Sequence, residues 1–231
     1  DGWIELDNVS ITTTLSSGFV TQWYDQSGNA NHATQGTDAS QPKIVDAGSL
    51  VSGGLDFDGV DDYLSSDALG ASMSGTDVPF SFFHVSQVDV VATQDVLGFG
   101  RSTSSTPLLT NIYHSGGGFG YQVRDDANIL KFDLGISSYS TGTKYLVSSI
   151  GSGTTMDFAV NGTLNVDNAD INVGAITFDR FAIGALERAS VSNFLNGVVQ
   201  EIIVYPSDQS ANRTAFEANI GETYGIDLPS G

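Results

Sequence analysis

Apolar and polar residues alternate with a period of two along much of this chain, the pattern of β-strands with one buried face. The clearest case is a predicted hairpin over residues 156–166, where alternating strands flank the pair Asn161-Gly162. Asn-Gly is favoured in type I′ turns because both residues tolerate positive φ. Short strands separated by Gly, Ser, Thr, Asn and Asp therefore predict an all-β fold.

Other segments predict strands in the middle of a sandwich. The segment that begins at Pro79 is apolar on both faces, with Phe80, Phe82 and Phe83. A strand that is apolar on both faces is covered on both sides. Further core strands are predicted at 144–150, 178–185 and 198–205.

One helix is predicted, near residues 207–224. Phe216, Ile220 and Tyr224 follow the i, i+4, i+8 spacing of one helical face. Ser207 or Ser210 is suited to cap its start, and Gly225 to end it in a left-handed conformation. The predicted fold is an antiparallel β-sandwich with one short C-terminal helix, built as a single domain over residues 1–231.

Two groups of segments carry a family resemblance. The first comprises residues 18–33, 41–45 and 55–64, and the second runs from the core strand at 196–209 through the helix to 226. They resemble laminin-G-like jelly rolls of the concanavalin A-like lectin and glucanase superfamily. The most similar subgroup contains the catalytic domain of α-L-arabinofuranosidase B and bacterial and phage surface proteins. The resemblance implies a concanavalin A-like jelly roll, whereas its functions include lectins, hydrolases, lyases and structural modules.

Charge and composition limit the classes of partner that this chain can bind. Lys and Arg number 8 against 27 Asp and Glu, a net charge of −19. This excess argues against nucleic acid and anionic membrane surfaces, because phosphate binding needs clustered cations. The sequence contains no stretch of about 18 apolar residues, so no membrane-spanning helix is predicted. The absence of cysteine and the acidity favour an extracellular, cell-surface or virion-surface protein of prokaryotic or viral origin.

Two acidic segments are candidates for a calcium site. Asp25, Ser27, Asn29 and Asn31 place side-chain oxygens at alternate positions, as calcium loops do. The alternative is a turn in which these side chains hydrogen-bond their own backbone.

The second acidic segment is denser. It contains Asp56, Asp58, Asp61 and Asp62 around an Asp-Gly turn. It is either a structural hairpin that caps its own turn or a metal site. The metal ligands predicted from both segments are Asp25, Asn29, Asp58 and Asp61, and calcium is the favoured ion because all are oxygen donors.

Catalytic residues are scarce. Glycoside hydrolysis needs two carboxylates across one groove, and the Glu-x-Asp-x-Glu strand of jelly-roll glucanases is absent. In the arabinofuranosidase relatives the acid precedes the final core strand, which implies the region 184–194, where Glu187 is the only carboxylate. The sequence therefore leans against an enzyme, while a glycoside hydrolase or polysaccharide lyase remains the alternative.

Sugar binding needs flat rings and a few polar groups. The segment 101–125 supplies candidates: Arg101, Tyr113, His114, Tyr121, Arg124 and Asp125. The alternative is ordinary packing on a sheet face, because aromatic residues favour strands. Trp23 and Phe57 are predicted to be core residues instead of ligand platforms.

The predicted function is a non-catalytic module that binds a polysaccharide or a cell-surface glycan, as a lectin or an adhesion domain. The alternative within this class is structural decoration, with other virion or surface proteins or further copies of the chain, as a homo-oligomer, as partners.

Overall fold

The computed structural model describes residues 16–51 and 53–229, so the predicted bounds 1–231 reach beyond the described part. Most regular structure in it is β-strand. In chain order the strands are β1 (Gly18–Phe19), β2 (Gln22–Trp23), β3 (Ala33–Thr34), β4 (Lys43–Asp46), β5 (Ser49–Leu50), β6 (Leu55–Asp58), β7 (Leu64–Ser65), β8 (Gly75–Thr76), β9 (Phe80–Val88), β10 (Gln94–Arg101), β11 (Ser104–Tyr113), β12 (Gly118–Arg124), β13 (Leu130–Ser138), β14 (Tyr145–Gly151), β15 (Thr155–Val160), β16 (Thr163–Asp170), β17 (Ala175–Ile176), β18 (Arg180–Ile183), β19 (Leu186–Glu187), β20 (Val191–Ser192) and β21 (Asn196–Tyr205). The α-helices are α1 (Asp67–Ser72) and α2 (Arg213–Tyr224).

Two large antiparallel sheets form the sandwich. Sheet A has the order β1-β4-β6-β21-β9-β14-β15-β16, with β5 paired to β4. Sheet B has the order β13-β12-β11-β10-β18-β7-β3-β2. Two small ribbons, β8 with β17 and β19 with β20, lie outside these sheets. The predicted all-β antiparallel sandwich is confirmed.

The main core lies between the two sheets. Phe80 and Phe82 of β9 stack on each other and pack against rings of sheet B, with Phe82 against Phe99 and Phe80 against Tyr121. Phe83, one residue on, points to the opposite face and packs against helix α2. Strand β9 is therefore buried on both faces, as its sequence predicts.

Helix α2 covers the face of sheet A that points away from sheet B. Phe216, Ile220 and Tyr224 pack with Phe83 in a second apolar cluster, which confirms the predicted stripe. Gly225 ends the helix in the left-handed conformation, with φ of 65°. The prediction of a serine cap is wrong, because α2 begins after Asn212, which makes no side-chain capping bond.

One turn differs from its prediction. Asp58-Gly59 does not close a hairpin, because β6 pairs in sheet A with β21 and β4, whereas β7 pairs in sheet B with β18 and β3. The turn carries the chain from one sheet to the other. The Asn161-Gly162 hairpin is confirmed, with positive φ at both residues and β15 paired to β16.

The two residues predicted to be core differ in depth. Phe57 is buried, with 1% of its surface exposed, and its ring packs over Gly184, whose φ is 80°. Trp23 is only partly buried and packs at the margin of the main core.

Helix α1, six residues long, was not predicted; Ser66 caps it by accepting a bond from the Leu69 N–H. Neither helix in the described residues is long and apolar enough to cross a membrane.

Candidate functional site

The residues predicted to bind a sugar do not lie together. Tyr113 and Tyr121 have 1% and 0% of their surface exposed and point into the main core. In antiparallel strands, opposite residues share a face, and Tyr121 lies opposite Asn111, which bonds Ser149 of sheet A. Both rings are core residues, because inward positions of these strands alternate with outward ones.

Asp125 is a structural residue at the end of β12. Its Oδ1 accepts a bond from the Ile129 N–H at 2.8 Å, and its Oδ2 lies 3.1 Å from Lys131 Nζ. Burial alone would raise the pKa of Asp125, but these donors outweigh it and hold the pKa below its usual value. The carboxylate therefore caps a turn and forms an ion pair.

The face of sheet B that points away from sheet A is the outer face. A segment that we call the covering segment, residues 186–193, runs along this face above β10. Leu186 lies over Gly98 and Glu187 over Gly100, where any larger side chain would collide. Further along, Asn193 binds Asp95. The covering segment therefore buries the outer face of β10 and rises as a ridge beside β11 and β12.

Beside this ridge the outer face is open. We call this surface the outer strip; it consists of Ile112, His114, Gln122 and Arg124, with Gly120 beneath them. The four side chains are half-buried. Ile112 and His114 converge over Gly120, where a Cβ would collide with both. Their positions follow from strand alternation, because Tyr113, Tyr121 and Val123 point into the core.

The outer strip combines polar groups with a rigid base. Gln122 lies opposite Thr110 on β11, and Arg124 lies opposite Leu108. Both flanking positions on β11 are buried, with Thr110 1% and Leu108 3% exposed. The amide of Gln122 and the guanidinium of Arg124 are thus presented from β12, a strand that is paired on both sides, where the backbone has little freedom.

Arginines and carboxylates meet at the edge of the covering segment. Arg180 Nε lies 3.3 Å from Glu187 Oε1, and Arg180 Nη1 lies 3.2 Å from Asp67 Oδ2. Glu187 Oε2 is buried without a hydrogen-bond partner among the described residues. Burial raises the pKa of Glu187, although Arg180 opposes the rise. Glu187 is therefore held in an ion pair at the place where the resemblance implies an acid.

Asp95 anchors the covering segment to the sheet. Its side chain is fully buried and accepts bonds from Thr110 Oγ1 and, at 2.6 Å, from Asn193 Nδ2. Its N–H also donates to the Asn193 carbonyl at 2.9 Å. Burial raises the pKa of Asp95 to about 7, more than these donors lower it.

The first predicted calcium loop satisfies its own polar groups. Asp25 Oδ1 accepts from the Ser27 N–H at 2.8 Å, and Oδ2 accepts from Ser27 Oγ and from the Asn31 N–H. Asn29 Nδ2 donates to Ser27 Oγ at 3.0 Å. The Ser27 N–H is the main reason why the pKa of Asp25 is lowered. These residues fit the turn better than a metal site.

The second acidic segment fits a cation better. Asp58, Asp61 and Asp62 each bring a carboxylate oxygen within 4.8 Å of the other two. Burial and the charge of Asp58 raise the pKa of Asp62 to about 6. Asp58 Oδ1 also accepts from the Val60 N–H at 2.8 Å, and Asp61 Oδ2 from Ser40 Oγ at 3.0 Å. Three oxygens supply part of the six to eight that calcium takes.

The gap in the interior beside Tyr113 is not a ligand site. A gap between the sheets is lined by His84, Val96, Asn111 and neighbouring side chains, and it is too small to admit a water molecule. His84 bonds Ser86 Oγ at 3.0 Å, and burial lowers its pKa to about 3. This histidine is therefore a neutral core residue.

Comparisons with known proteins identify the fold. The sequence matches no protein-family model and no curated protein. Trypanosoma rangeli sialidase in complex with sialic acid matches 90% of this chain and 32% of its own, with a TM-score of 0.62 and 15% identity. The CBM40 module of Ruminococcus gnavus IT-sialidase, bound to α2,3 sialyllactose, matches 71% of this chain and 91% of its own, with a TM-score of 0.54 and 16% identity. NanB sialidase from Streptococcus pneumoniae, as a K499G mutant, matches 71% and 27%, with a TM-score of 0.56 and 14% identity.

These matches define a jelly-roll β-sandwich, consistent with the predicted concanavalin A-like fold. The chain spans about a third or less of the whole sialidases but most of the CBM40 module. At such low identity the likeness concerns the fold alone. The laminin-G-like subgroup stays a prediction.

The candidates from the sequence include His114 and Arg124 of the outer strip but neither Ile112 nor Gln122. The available signal was the period of two, because Gln122 stands between Tyr121 and Val123, which both point inward.

Proposed function

We propose that this chain is a non-catalytic carbohydrate-binding module that holds its glycan on the outer strip. The observation that carries the proposal is a set of half-buried polar side chains on β11 and β12, two strands that are each paired on both sides, next to the ridge of the covering segment. A ridge beside an open sheet face gives a shallow groove, and glycans bind in grooves of this kind through a few well-placed polar groups.

Each member of the outer strip has a role in this proposal. The Gln122 amide both donates and accepts, so it suits a sugar hydroxyl, which does the same. Arg124 contributes donors only. Ile112 and the His114 ring give an apolar floor over Gly120 against which the C–H face of a sugar ring can pack.

The comparison structures support the proposal without establishing it. A module of the same fold, matched over 91% of its own length, was solved with sialyllactose, and one of the sialidases with sialic acid. The sequence resemblance to a superfamily with many lectins points the same way. In this proposal the module acts outside the cell or on a virion surface, in keeping with its acidity and lack of cysteine.

A glycan array tests the proposal with three purified proteins: the natural chain, Gln122→Ala and His114→Ala. We expect the natural chain to bind a subset of glycans and each variant to lose most of that signal while keeping its melting temperature. Glu222→Ala, on the exposed side of helix α2, is the control and should bind as the natural chain does. Binding that survives both strip variants would place the site elsewhere, and no binding on the array would favour the decoration role.

A further inference from the structure

We infer that the ligand of the outer strip is acidic and that Arg124 and Arg188 bind its carboxylate or sulfate group. This inference rests on the proposed function and specifies its ligand class. The observation behind it is the distribution of positive charge. The arginines that form no ion pair are concentrated on sheet B and its covering segment, which composition alone does not predict.

The 8 cations of this chain are outnumbered by 27 acidic residues, so from composition alone we would expect most cations to form ion pairs. Among the described residues four cations form ion pairs, namely Lys43, Lys131, Arg180 and Arg213. Lys144 donates to the Tyr224 carbonyl and lies over its ring. Arg101, Arg124 and Arg188 form no ion pair in the described part of the chain, although Arg101 helps to lower the pKa of Asp179 and Arg188 opposes the rise in the pKa of Asp95. All three belong to sheet B or its covering segment.

Strand register places these arginines at one end of the sheet. Strands β10 and β12 run in the same direction, and Arg101 and Arg124 are their last residues. Arg188 packs over Gly100, which pairs with Arg180 of β18. On β11, Leu109 is opposite Phe99, so the preceding Leu108 lies level with Gly100, and Leu108 is opposite Arg124. Across the outer face the arginines therefore follow one another in the order Arg180, Arg188 and Arg124.

Arg188 is held with part of its bonding capacity unused. Its Nη1 donates to the Ser105 carbonyl at 2.9 Å, which fixes the guanidinium against the sheet. Its Nε is buried and has no hydrogen-bond partner among the described residues. Because this Nε is closed to solvent, a ligand would bind Arg188 through its Nη groups, of which Nη2 makes only a long 3.4 Å contact with Ser192 Oγ. An anion seated between Arg188 and Arg124 would accept hydrogen bonds from the Nη groups of both.

The acidic side chains that form ion pairs in the row pair with Arg180, which leaves Arg124 and Arg188 as the cations available to a ligand. Glu187 and Asp67 are engaged by Arg180. Asp133 lies opposite Gln122, and it forms no ion pair with Arg124 among the residues that the structure describes. Guanidinium groups bind carboxylate and sulfate through paired N–H donors, so two neighbouring arginines suit one anionic group on a sugar.

A matched series of probes tests the inference. Dextran, carboxymethyl dextran and dextran sulfate share one backbone and differ in charge, and the array of the preceding section is scored separately for neutral, carboxylated and sulfated glycans. Because the protein carries −19, non-specific attraction of polyanions is disfavoured, so binding of an acidic probe reports a local site. We expect binding of acidic glycans in preference to neutral ones, and weaker binding at higher salt.

Variants then identify the groups. Arg124→Gln should weaken binding of acidic glycans by at least about tenfold, the usual effect of losing a hydrogen bond to a charged group. The affinity of Arg124→Lys for acidic glycans should lie between those of the natural chain and Arg124→Gln, because lysine keeps the charge but not the paired donors. Lys43→Gln removes one charge at the edge of sheet A and is the matched control. Arg188→Gln is judged only if its melting temperature is unchanged, since Arg188 also holds the covering segment.

The outcomes separate this inference from the proposed function. Equal binding of neutral and acidic glycans, or acidic binding that Arg124→Gln leaves unchanged, would overturn the inference and leave a glycan-binding module. Preference for carboxylated over sulfated probes, or the reverse, would name the anion. Absence of binding to every glycan would reject the proposed function, and the inference with it.

Discussion

Asp95 shows how one buried residue controls the edge of the candidate site. Thr110 Oγ1 lies within hydrogen-bond distance of both Asp95 Oδ1 and the Leu97 carbonyl. A hydroxyl has one proton, so it can donate to only one of them. A protonated Asp95 resolves the conflict, because it can donate to Thr110, which then donates to Leu97. The pKa of about 7 agrees with this arrangement.

The first prediction concerns stability and pH. The pKa of Asp95 is about 7 in the folded chain and near 3.8 when unfolded, so the folded state binds more protons between these values. The free energy of unfolding should therefore fall as pH rises from about 4 to 7. Asp62, with a pKa of about 6, acts in the same direction.

Asp95→Asn is the direct test, because asparagine mimics the protonated acid. At pH 8 the variant should be more stable than the natural chain by about 1 to 4 kcal/mol, since it avoids a buried charge. Urea unfolding at several pH values measures the difference. Asp62→Asn is run in parallel to separate the two carboxyl groups, and an unchanged slope in Asp95→Asn would show that Asp95 is ionised throughout.

The second prediction concerns calcium, which stays a prediction from the sequence. Of the two acidic segments, the cluster of Asp58, Asp61 and Asp62 has the better geometry. Millimolar calcium should raise the melting temperature by mass action, and Asp61→Asn should remove the rise. Asp25→Asn should leave the calcium effect intact while lowering stability, because it breaks the turn. A melting temperature that changes with neither calcium nor chelator would show that the cluster is a turn without a metal site.

For single residues, the sequence predicted burial correctly where the side chain suits only one environment. Phe57 is buried because it is the large apolar side chain on the inner face of β6, where it alternates with the more exposed Asp56 and Asp58. Tyr113 and Tyr121 were misassigned because a tyrosine suits both a core and a sugar-binding surface. Only the register of β11 and β12 shows which way their rings point.

At the scale of elements, helix α2 shows how a helix is attached to a sheet by both polar and apolar contacts. Glu217 is 2% exposed on the side of α2 that faces sheet A. Its carboxylate accepts from Ser148 Oγ of β14 at 2.8 Å and from Arg213 Nη1 at 2.8 and 3.0 Å. These bonds fasten the helix to the sheet alongside the apolar contacts of Phe216 and Ile220.

The third prediction follows from this fastening. Glu217→Ala should lower the free energy of unfolding by about 3 kcal/mol, because it leaves a half-buried Arg213 and a buried Ser148 without their partner. Glu222→Ala, exposed on the same helix, should change it by less than about 0.5 kcal/mol. Equal effects in chemical denaturation would mean that α2 is held by its apolar stripe alone.

The covering segment marks the limit of prediction at the element scale. Its strands β19 and β20 are two residues each, too short to show any periodicity. Its position depends on Gly98 and Gly100, which leave room on β10. Glycine in a strand signals a close approach, but it does not say which segment approaches.

The fourth prediction concerns the whole molecule: it does not hydrolyse glycosidic bonds. Glu187 is the sole carboxylate that the resemblance implies, and in the structure it lies in the covering segment and forms an ion pair with Arg180. Hydrolysis needs an acid and a second carboxylate across one groove. Incubation with arabinan, xylan, β-glucan and alginate should release no new reducing ends and no unsaturated products. Turnover that Glu187→Gln abolishes would establish an enzyme instead.

The sequence by itself determined the fold class of the molecule, because local signals suffice for it. Alternation in the strands, the Asn161-Gly162 turn and the stripe of helix α2 each express short-range physics, and all appear as predicted. Tertiary structure decided which strands join which sheet, as at Asp58-Gly59, where the chain crosses between sheets. It also decided the candidate site, since the outer strip and its arginines come from β11, β12 and a covering segment far along the chain. No local pattern encodes their meeting, which requires the long-range pairing that forms only on folding.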